Sequence, residues 1–211
     1  MEDRRVTEDT KSLPDGWQTV RLGSVCRIVG GSTPSSGVPE FWGGENIWIT
    51  PTDLGKLTIP YIETSQRSIT ESGYKSCATE VVPVGSVIMS CRAPIGHLGI
   101  ASVPLCTNQG CKSFVVTEKV DTKFLYYLLK ISVPKFQELG SGSTFAEISK
   151  GSLDAFEIAL PLTIEEQRRI ASILDEQMKA VAQARTAVKE QADAINSIPG
   201  ALLNKAFKGE F

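Results

Sequence analysis

The sequence contains no long apolar segment. Its longest apolar stretches, such as residues 124–129, fall far short of the roughly 20 residues that a membrane-spanning helix needs. The first twelve residues, MEDRRVTEDTKS, carry charges and no apolar stretch, which argues against a secretory signal. We therefore expect a cytoplasmic protein in which residues 1–12 form a mobile N-terminal tail.

Metal-ligand patterns are missing as well. The chain has five cysteines and one histidine, and no two cysteines are spaced as CxxC. This offers no zinc ligand set, so we predict no metal site, and free thiols in a reducing compartment are the simplest interpretation. The one catalytic alternative is a thiol nucleophile, Cys91 or Cys106, activated by His97. The competing interpretation is a buried thiol beside a loop histidine.

Nucleotide-binding signatures cannot be found either. The chain has no GxGxxG fingerprint and no GxxxxGK[ST] phosphate loop, which argues against a dinucleotide or S-adenosylmethionine fold and against an ATP-driven motor. The tetrapeptide typical of adenine methyltransferases and a common Glu-x-Lys nuclease signature are also absent. The net charge is −2 and no segment is strongly basic, so any affinity for DNA requires basic residues to cluster in space.

What is present changes character near Pro161. Before it, glycine, proline, serine and threonine punctuate short apolar runs, which predicts a mixed α+β domain over residues 13–160. A helix is predicted over Asp121–Ile131, with Asp121 as its N-cap. The predicted strands are Asn46–Thr50, Leu57–Ile62, Gly85–Ser90, Leu98–Ser102, Ser113–Thr117 and Phe156–Leu160. The predicted long loops are Gly30–Gly44, Glu63–Ser76 and Leu139–Gly151.

Residues 161–211 predict one long helix. Thr163 and Glu166 fit a capping box, and the following apolar positions alternate in steps of four and three residues, which is typical of a coiled coil. The two rows of this seam are Leu174, Val181, Val188, Ile195 and Leu202, and Ile170, Gln177, Ala184, Gln191 and Ile198. Pro199-Gly200 predicts a break or kink, with a short second helix over 201–207. The seam favours pairing with another molecule over packing on its own domain.

Several segments, in order, resemble the specificity subunits of type I restriction–modification systems. The similar segments are Leu13–Trp17 (LPDGW), Val20–Gly23, Gly30–Pro34 (GGSTP), Trp48–Leu54, Ser90–Gly96 (SCRAPIG), Thr107–Gly110 (TNQG), Leu160-Pro161, Glu166-Gln167, Arg169-Ile170 and Leu203–Phe211. The resemblance implies that residues 13–160 form a DNA target-recognition domain. Family members usually carry two such domains and two long helices, whereas this chain has one of each. It therefore resembles a half-length form, either natural or a fragment.

The resemblance also implies a role and partners. The expected role is non-catalytic, sequence-specific binding of double-stranded DNA. Two copies are expected to pair their helices antiparallel and to read a two-part inverted repeat. The chain itself is expected to bind no cofactor. The methyltransferase (modification) subunit would bind S-adenosylmethionine, and the restriction subunit, docked indirectly, would use ATP. The alternative is an interaction module or regulator that competes with a full-length subunit without touching DNA.

Candidate DNA contacts are polar residues of the loops, because phosphates and base edges are bound by amides, hydroxyls and cations. They are Gly31, Ser32, Thr33, Arg67, Lys75, Ser90, Arg92, Asn108, Gln109, Ser143, Thr144 and Lys150. The structural alternatives are a simple turn for the glycine loop and for Asn108-Gln109, a solvated face for Arg67 and Lys75, a loop-pinning role for Arg92, and a flexible linker for Ser143, Thr144 and Lys150. Trp42 and Trp48 are expected to be core or loop anchors.

Overall fold

A computed structural model describes residues 13–92, 94–140 and 147–210. The predicted tail, residues 1–12, lies outside the described residues. Helices and strands are mixed and a long helix follows them, so the predicted α+β class is confirmed. The strands are β1 (Trp17–Arg21), β2 (Cys26–Gly30), β3 (Trp42–Ile49), β4 (Tyr61–Ile62), β5 (Arg67–Ile69), β6 (Val87–Ser90), β7 (Leu98–Ala101), β8 (Cys106–Thr107), β9 (Cys111–Val116) and β10 (Glu157–Pro161). The helices are α1 (Pro51–Gly55), α2 (Glu71–Lys75), α3 (Thr122–Gly140), α4 (Lys150–Ala155) and α5 (Ile164–Lys208).

The described strands form three sheets. A five-stranded sheet has the order β2-β9-β6-β7-β4, a three-stranded sheet has the order β5-β3-β8, and β1 pairs with β10. Pairing is antiparallel except between β3 and β8 and between β4 and β7, which are parallel. The turn from β8 to β9 links the two larger sheets. No helix of the described residues is long and apolar enough to cross a membrane.

The pairing of β1 with β10 joins the two ends of the sheet-bearing unit. Trp17 lies opposite Pro161 in an antiparallel register, and the amide of Leu162 donates to the carbonyl of Gly16 at 2.9 Å. Gln167 then fixes the first turn of α5: its side-chain amide donates to the carbonyls of Lys119 and Pro161, and its side-chain oxygen accepts from the amide of Asp121. These bonds satisfy a buried polar side chain and anchor the start of the helix.

Helix α3 covers part of the five-stranded sheet. Its buried face carries Phe124, Leu125, Leu129 and Phe136 and contacts β6 and β7. The carboxylate of Asp121 accepts hydrogen bonds from two amides of the first turn, at 3.0 Å each, so the predicted N-cap is confirmed. The helix runs nine residues beyond its predicted end at Ile131 and includes Pro134.

The predicted strands are confirmed at five positions, as β3, β6, β7, β9 and β10. The prediction over Leu57–Ile62 was wrong for its first four residues, since only Tyr61–Ile62 pairs, with β7. The predicted loop over Glu63–Ser76 was also wrong in part, because it contains β5 and α2. Such short elements have too few residues to show a period in the sequence, and their partners on other strands stabilise them.

Helix α5 begins as predicted, since the hydroxyl of Thr163 accepts from the amide of Glu166 at 3.3 Å. The predicted break at Pro199 was wrong, because α5 continues without interruption to Lys208. Proline removes one helical hydrogen bond, but its fixed φ is itself helical, and the residues after Gly200 are good helix formers. The chain divides into two compact units, one ending at Arg168 and one beginning at Arg169.

Candidate nucleic-acid interface

The three-stranded sheet carries an arginine stacked on tryptophan. Trp48 on β3 lies directly opposite Arg67 on β5 in the strand register. The Arg67 guanidinium carbon lies 3.5 Å from the centroid of the Trp42 ring and 5.7 Å from that of Trp48. The two indoles meet edge to face, with centroids 5.1 Å apart. The expectation that both tryptophans are anchors is confirmed, since both hydrogen-bond to the loop after β2.

The loop after β2 packs against the turn between β8 and β9. At Gly31 a side chain has no room, because a Cβ there would overlap the carbonyl oxygens of Thr107 and Asn108. The amide of Ser32 donates to the carbonyl of Thr107 at 2.9 Å, and the hydroxyl of Thr33 donates to the side-chain oxygen of Gln109. The Ser32 amide, predicted as a phosphate donor, is therefore already used within the protein, which supports the turn alternative for this residue.

In the turn between β8 and β9, Asn108 has a structural role and Gln109 is exposed. The side-chain oxygen of Asn108 accepts from the amide of Gly110 at 3.0 Å, which holds the turn closed. Gln109 is exposed, and so are Thr33 and Arg67. We call Thr33, Trp42, Arg67 and Gln109 the Arg67–Gln109 surface. It offers the Arg67 cation, the side-chain NH2 group of Gln109 and the lone pairs of the Thr33 hydroxyl oxygen, since the Thr33 hydrogen and the Gln109 oxygen already bond each other. Such groups can contact base edges.

Arg92 belongs to a neighbouring ion cluster. Its Nη2 lies 2.9 Å from one carboxylate oxygen of Glu147, and Lys112 approaches the other oxygen at 3.8 Å. Arg92 and Glu147 also form an isolated antiparallel bridge, and the adjacent Cys91 amide donates to the carbonyl of Gly110. This arrangement supports the loop-pinning alternative for Arg92, although nearly half of its side chain stays exposed.

The burial of Ser90 contradicts the prediction that this residue contacts DNA. Ser90 has no exposed surface. Its hydroxyl donates to the carbonyl of Pro94 at 2.7 Å, and the hydroxyl oxygen of Ser90 also accepts from the amide of His97 at 2.9 Å. A fully buried hydroxyl with both roles satisfied cannot reach a nucleic acid. Its position instead fixes the loop that follows β6, and so it acts as a positioning residue.

The other predicted contacts are spread over the fold. Lys75 ends α2 and pairs with Glu71 at 3.1 Å, which supports a solvated face. Lys150 begins α4, which packs against β2 and the 3-10 turn Leu22–Ser24, so it belongs to a different part of the fold from Arg67. Ser143 and Thr144 lie outside the described residues.

The thiol chemistry considered from the sequence has no support. Burial raises the pKa of Cys91 and of Cys26 to about 12, raises that of Cys106 to about 11, and also raises that of Cys111. A protonated thiol is a poor nucleophile. The His97 ring instead faces the carbonyl of Pro51, with Nδ1 3.4 Å from that oxygen. The interpretation as buried thiols beside a loop histidine is therefore favoured.

Helix α5 presents its seam to solvent. All residues from Glu176 to Glu210 are exposed, including apolar seam positions such as Val188 and Ile195, each 65% exposed. Phe207 near the helix end is 90% exposed. Scattered exposed apolar residues are ordinary, whereas an ordered row of them at coiled-coil spacing is typical of helices that pair with another helix.

The sequence prediction missed two features of this region, namely the stacking of Arg67 on Trp42 and the Lys112–Glu147 ion pair. A signal for the first existed: two tryptophans flank the start and end of one strand, and an arginine lies in the next polar segment. No signal existed for Glu147, because it is 55 residues from its partner Arg92.

Known proteins resemble this chain over most of its length. Residues 14–191 match the type I restriction modification DNA specificity domain. The chain is 38% identical over 168 residues to the type I restriction enzyme MjaIX specificity subunit of Methanocaldococcus jannaschii, a match that covers 79% of this chain and 39% of that subunit. It is 31% identical to the EcoR124I/EcoR124II specificity subunit of Escherichia coli, across 75% of this chain and 40% of that subunit.

Solved structures of type I restriction–modification proteins are similar to this chain as well. The HsdS subunit from Thermoanaerobacter tengcongensis is similar with a TM-score of 0.70 and 28% identity, over 97% of this chain and 48% of that one. A chain from structural work on assembly and conformational transition of the type I R-M system has a TM-score of 0.81 and 31% identity, over 97% and 49%. The chain thus spans about half the length of these proteins or somewhat less. It belongs to the type I restriction modification DNA specificity domain family.

Proposed function

We propose that this chain is a DNA-reading specificity subunit that recognises one half of a two-part site and pairs with a second copy to read both halves. The observation that carries the proposal is the family match over residues 14–191, together with the exposed Arg67–Gln109 surface. The four residues of this surface come from four separate segments, and hydrogen bonds and stacking hold them at one place. Preorganised polar groups suit direct reading of base edges.

The proposed role needs no catalysis by this chain. Burial keeps the Cys91 and Cys106 thiols protonated, so the one catalytic alternative from the sequence loses its nucleophile. The chain would instead select the site at which a methyltransferase subunit, carrying S-adenosylmethionine, acts in the cytoplasm. A restriction subunit that uses ATP would join through that subunit.

The second copy is inferred from α5. The helix has 45 residues and is therefore roughly 68 Å long. Its seam is half-buried at Ile170 and Leu174 and exposed from Gln177 to Leu202. An antiparallel pair centred on Thr186 brings every seam position opposite another seam position of the second copy. The five pairs are Leu174 with Ile198, Val181 with Gln191, Val188 with Ala184, Ile195 with Gln177, and Leu202 with Ile170.

Charge favours the antiparallel direction. The first turn of α5 is acidic, with Glu165 and Glu166, and its last turn is basic, with Lys205 and Lys208. Antiparallel pairing places these turns side by side, with Glu166 flanking Lys208 of the second copy, whereas parallel pairing would bring like charges together. A symmetric pair implies an inverted repeat, and the helix length sets the unread gap. The polar face of α5 is then open to the methyltransferase subunit.

The pairing is tested by sedimentation. Val181→Asp with Val188→Asp buries charge in the seam, so the pair should dissociate into monomers. Gln183→Asp with Thr186→Asp adds the same charge on the opposite face of the helix and should leave the dimer intact. If the variant with aspartates at 181 and 188 stays dimeric, or if the control variant becomes monomeric, the proposed interface is contradicted.

DNA reading is tested by selection from randomised duplexes, with the chain alone and with the methyltransferase subunit, over a series of salt concentrations. An enriched inverted repeat with a fixed gap is expected, and the slope of affinity against salt counts the phosphate contacts. The methyltransferase arm matters because the net charge of −2 gives the chain little general attraction to DNA. No enrichment in either arm, with dimerisation intact, would favour the interaction module that does not touch DNA.

A further inference from the structure

Arg67 differs from other arginines of the fold in what it contacts. Arg27 and Arg92 are paired with carboxylates, Glu80 and Glu147, whereas the cation of Arg67 lies on an indole ring, 3.5 Å from the centroid of Trp42. At that distance the guanidinium is stacked flat, because a guanidinium standing on edge would push a nitrogen into the ring. A stacked guanidinium keeps its N–H donors in its own plane, parallel to the ring, so that they point past the ring rather than into it.

The platform under Arg67 is fixed from two sides. The Trp42 indole N–H donates to the carbonyl of Ser35 at 3.2 Å, and that of Trp48 donates to the carbonyl of Ser32 at 3.0 Å. Trp48 is only 3% exposed and pairs with Arg67 across the strands. The backbone of Arg67 is tied as well, because its carbonyl accepts from the hydroxyl of Ser65 at 2.7 Å. Arg67 is thus ordered before any ligand arrives, which lowers the entropic cost of using it.

We propose that Arg67 reads a guanine in the recognised half-site, through two parallel hydrogen bonds to O6 and N7 in the major groove. The inference rests on the proposed DNA-reading function and names one base contact within it. Guanine offers two adjacent acceptors that match the fork of an arginine. A phosphate contact works with a mobile cation, whereas base reading requires the fixed orientation that the tryptophan platform provides.

The experiment compares enriched DNA motifs for the dimeric protein, with its methyltransferase subunit, and for four variants. Arg67→Lys keeps the charge but loses the fork. Arg67→Ala loses both, and Trp42→Leu removes the platform. Arg27→Ala is the matched control, since it deletes an exposed arginine elsewhere. Circular dichroism and thermal unfolding of each variant establish that it is folded.

The original protein should show one strongly preferred guanine in each half-site. Arg67→Lys and Arg67→Ala should both lose that preference, by roughly 5- to 150-fold in discrimination against the other bases, and should keep the rest of the motif. Trp42→Leu should weaken preference at the same position only, and Arg27→Ala should leave the motif unchanged. These changes at one position are not expected from a general loss of stability.

Two results would overturn the inference while the proposed function stands. If Arg67→Ala lowers affinity equally for all sequences and reduces the salt slope by about one, and Arg67→Lys restores it, Arg67 contacts a phosphate. If the motif is unchanged in both variants, Arg67 contacts no base. A failure of the proposed function looks different, because the unaltered protein would then enrich no motif, and the guanine contact falls with it.

Discussion

The close approach at Gly31 provides the sharpest test of how the candidate interface is built. Gly31→Ala places a methyl group against the carbonyl oxygens of Thr107 and Asn108. An ordinary carbon–oxygen separation of about 3.3 Å is restored only if the loop moves by about 1 Å or more. That movement lengthens the bond from the Ser32 amide to Thr107 and separates the neighbouring Thr33 hydroxyl from Gln109.

The cost follows from these contacts. Overpacking in a well-ordered region costs roughly 1–3 kcal/mol, and each lost hydrogen bond adds about 0.5–1.5 kcal/mol. Because two hydrogen bonds are affected, we expect Gly31→Ala to lower the free energy of unfolding by about 2–6 kcal/mol. Gly30→Ala is a matched control one residue away, because a Cβ there meets no atom within 4 Å. It should change the free energy of unfolding by less than about 1 kcal/mol.

Urea unfolding followed by tryptophan fluorescence measures both variants, and Trp48, which is bonded to this loop, reports on the region directly. DNA selection on the same samples should show a weakened motif for Gly31→Ala and an unaltered one for Gly30→Ala. If the two variants are equally stable, the loop is not packed against the turn as described, and the basis of the Arg67–Gln109 surface is refuted.

Four further predictions concern the thiols and the helix. Of the five thiols, only the partly exposed Cys77 should react quickly with a thiol reagent in the native protein; rapid reaction of all five would contradict the burial. Because burial holds the pKa of the other thiols at about 11 or above, they stay protonated when folded and ionise when unfolded. The free energy of unfolding, measured in urea, should therefore keep the full contribution of these thiols below about pH 8.5. It should fall as the pH rises towards 12, by up to about 1.4 kcal/mol per pH unit for each thiol. Lys208→Glu should weaken the dimer several-fold in sedimentation, and Glu166→Lys in the same chain should restore it; a parallel pair would show no rescue. Arg185→Gln should tighten the dimer, since antiparallel pairing about Thr186 brings two Arg185 side chains together, and an unchanged dissociation constant would argue against this register.

Local signals in the sequence were sufficient for the features that depend on near neighbours. The heptad spacing from Ile170 to Leu202 predicts a coiled-coil helix because the period of an α-helix is itself local. The Asp121 cap was predictable for the same reason, since its carboxylate bonds amides two and three residues away. The ordered family segments predict the α+β recognition fold, which the structure and the similar proteins confirm.

Tertiary structure alone decided which predicted contacts share a surface. The bond between Thr33 and Gln109 spans 76 residues, and that between Arg92 and Glu147 spans 55. Both depend on the order of strands in the sheets, which no local pattern encodes. The burial of Ser90 and the stacking of Arg67 on Trp42 are of the same kind. Local patterns predicted the long helix and the apolar rows on it, though not its continuation through Pro199, and the ordered motifs identified the family. Only packing decided which side chains reach the surface, because residues distant in the chain compete for the same space.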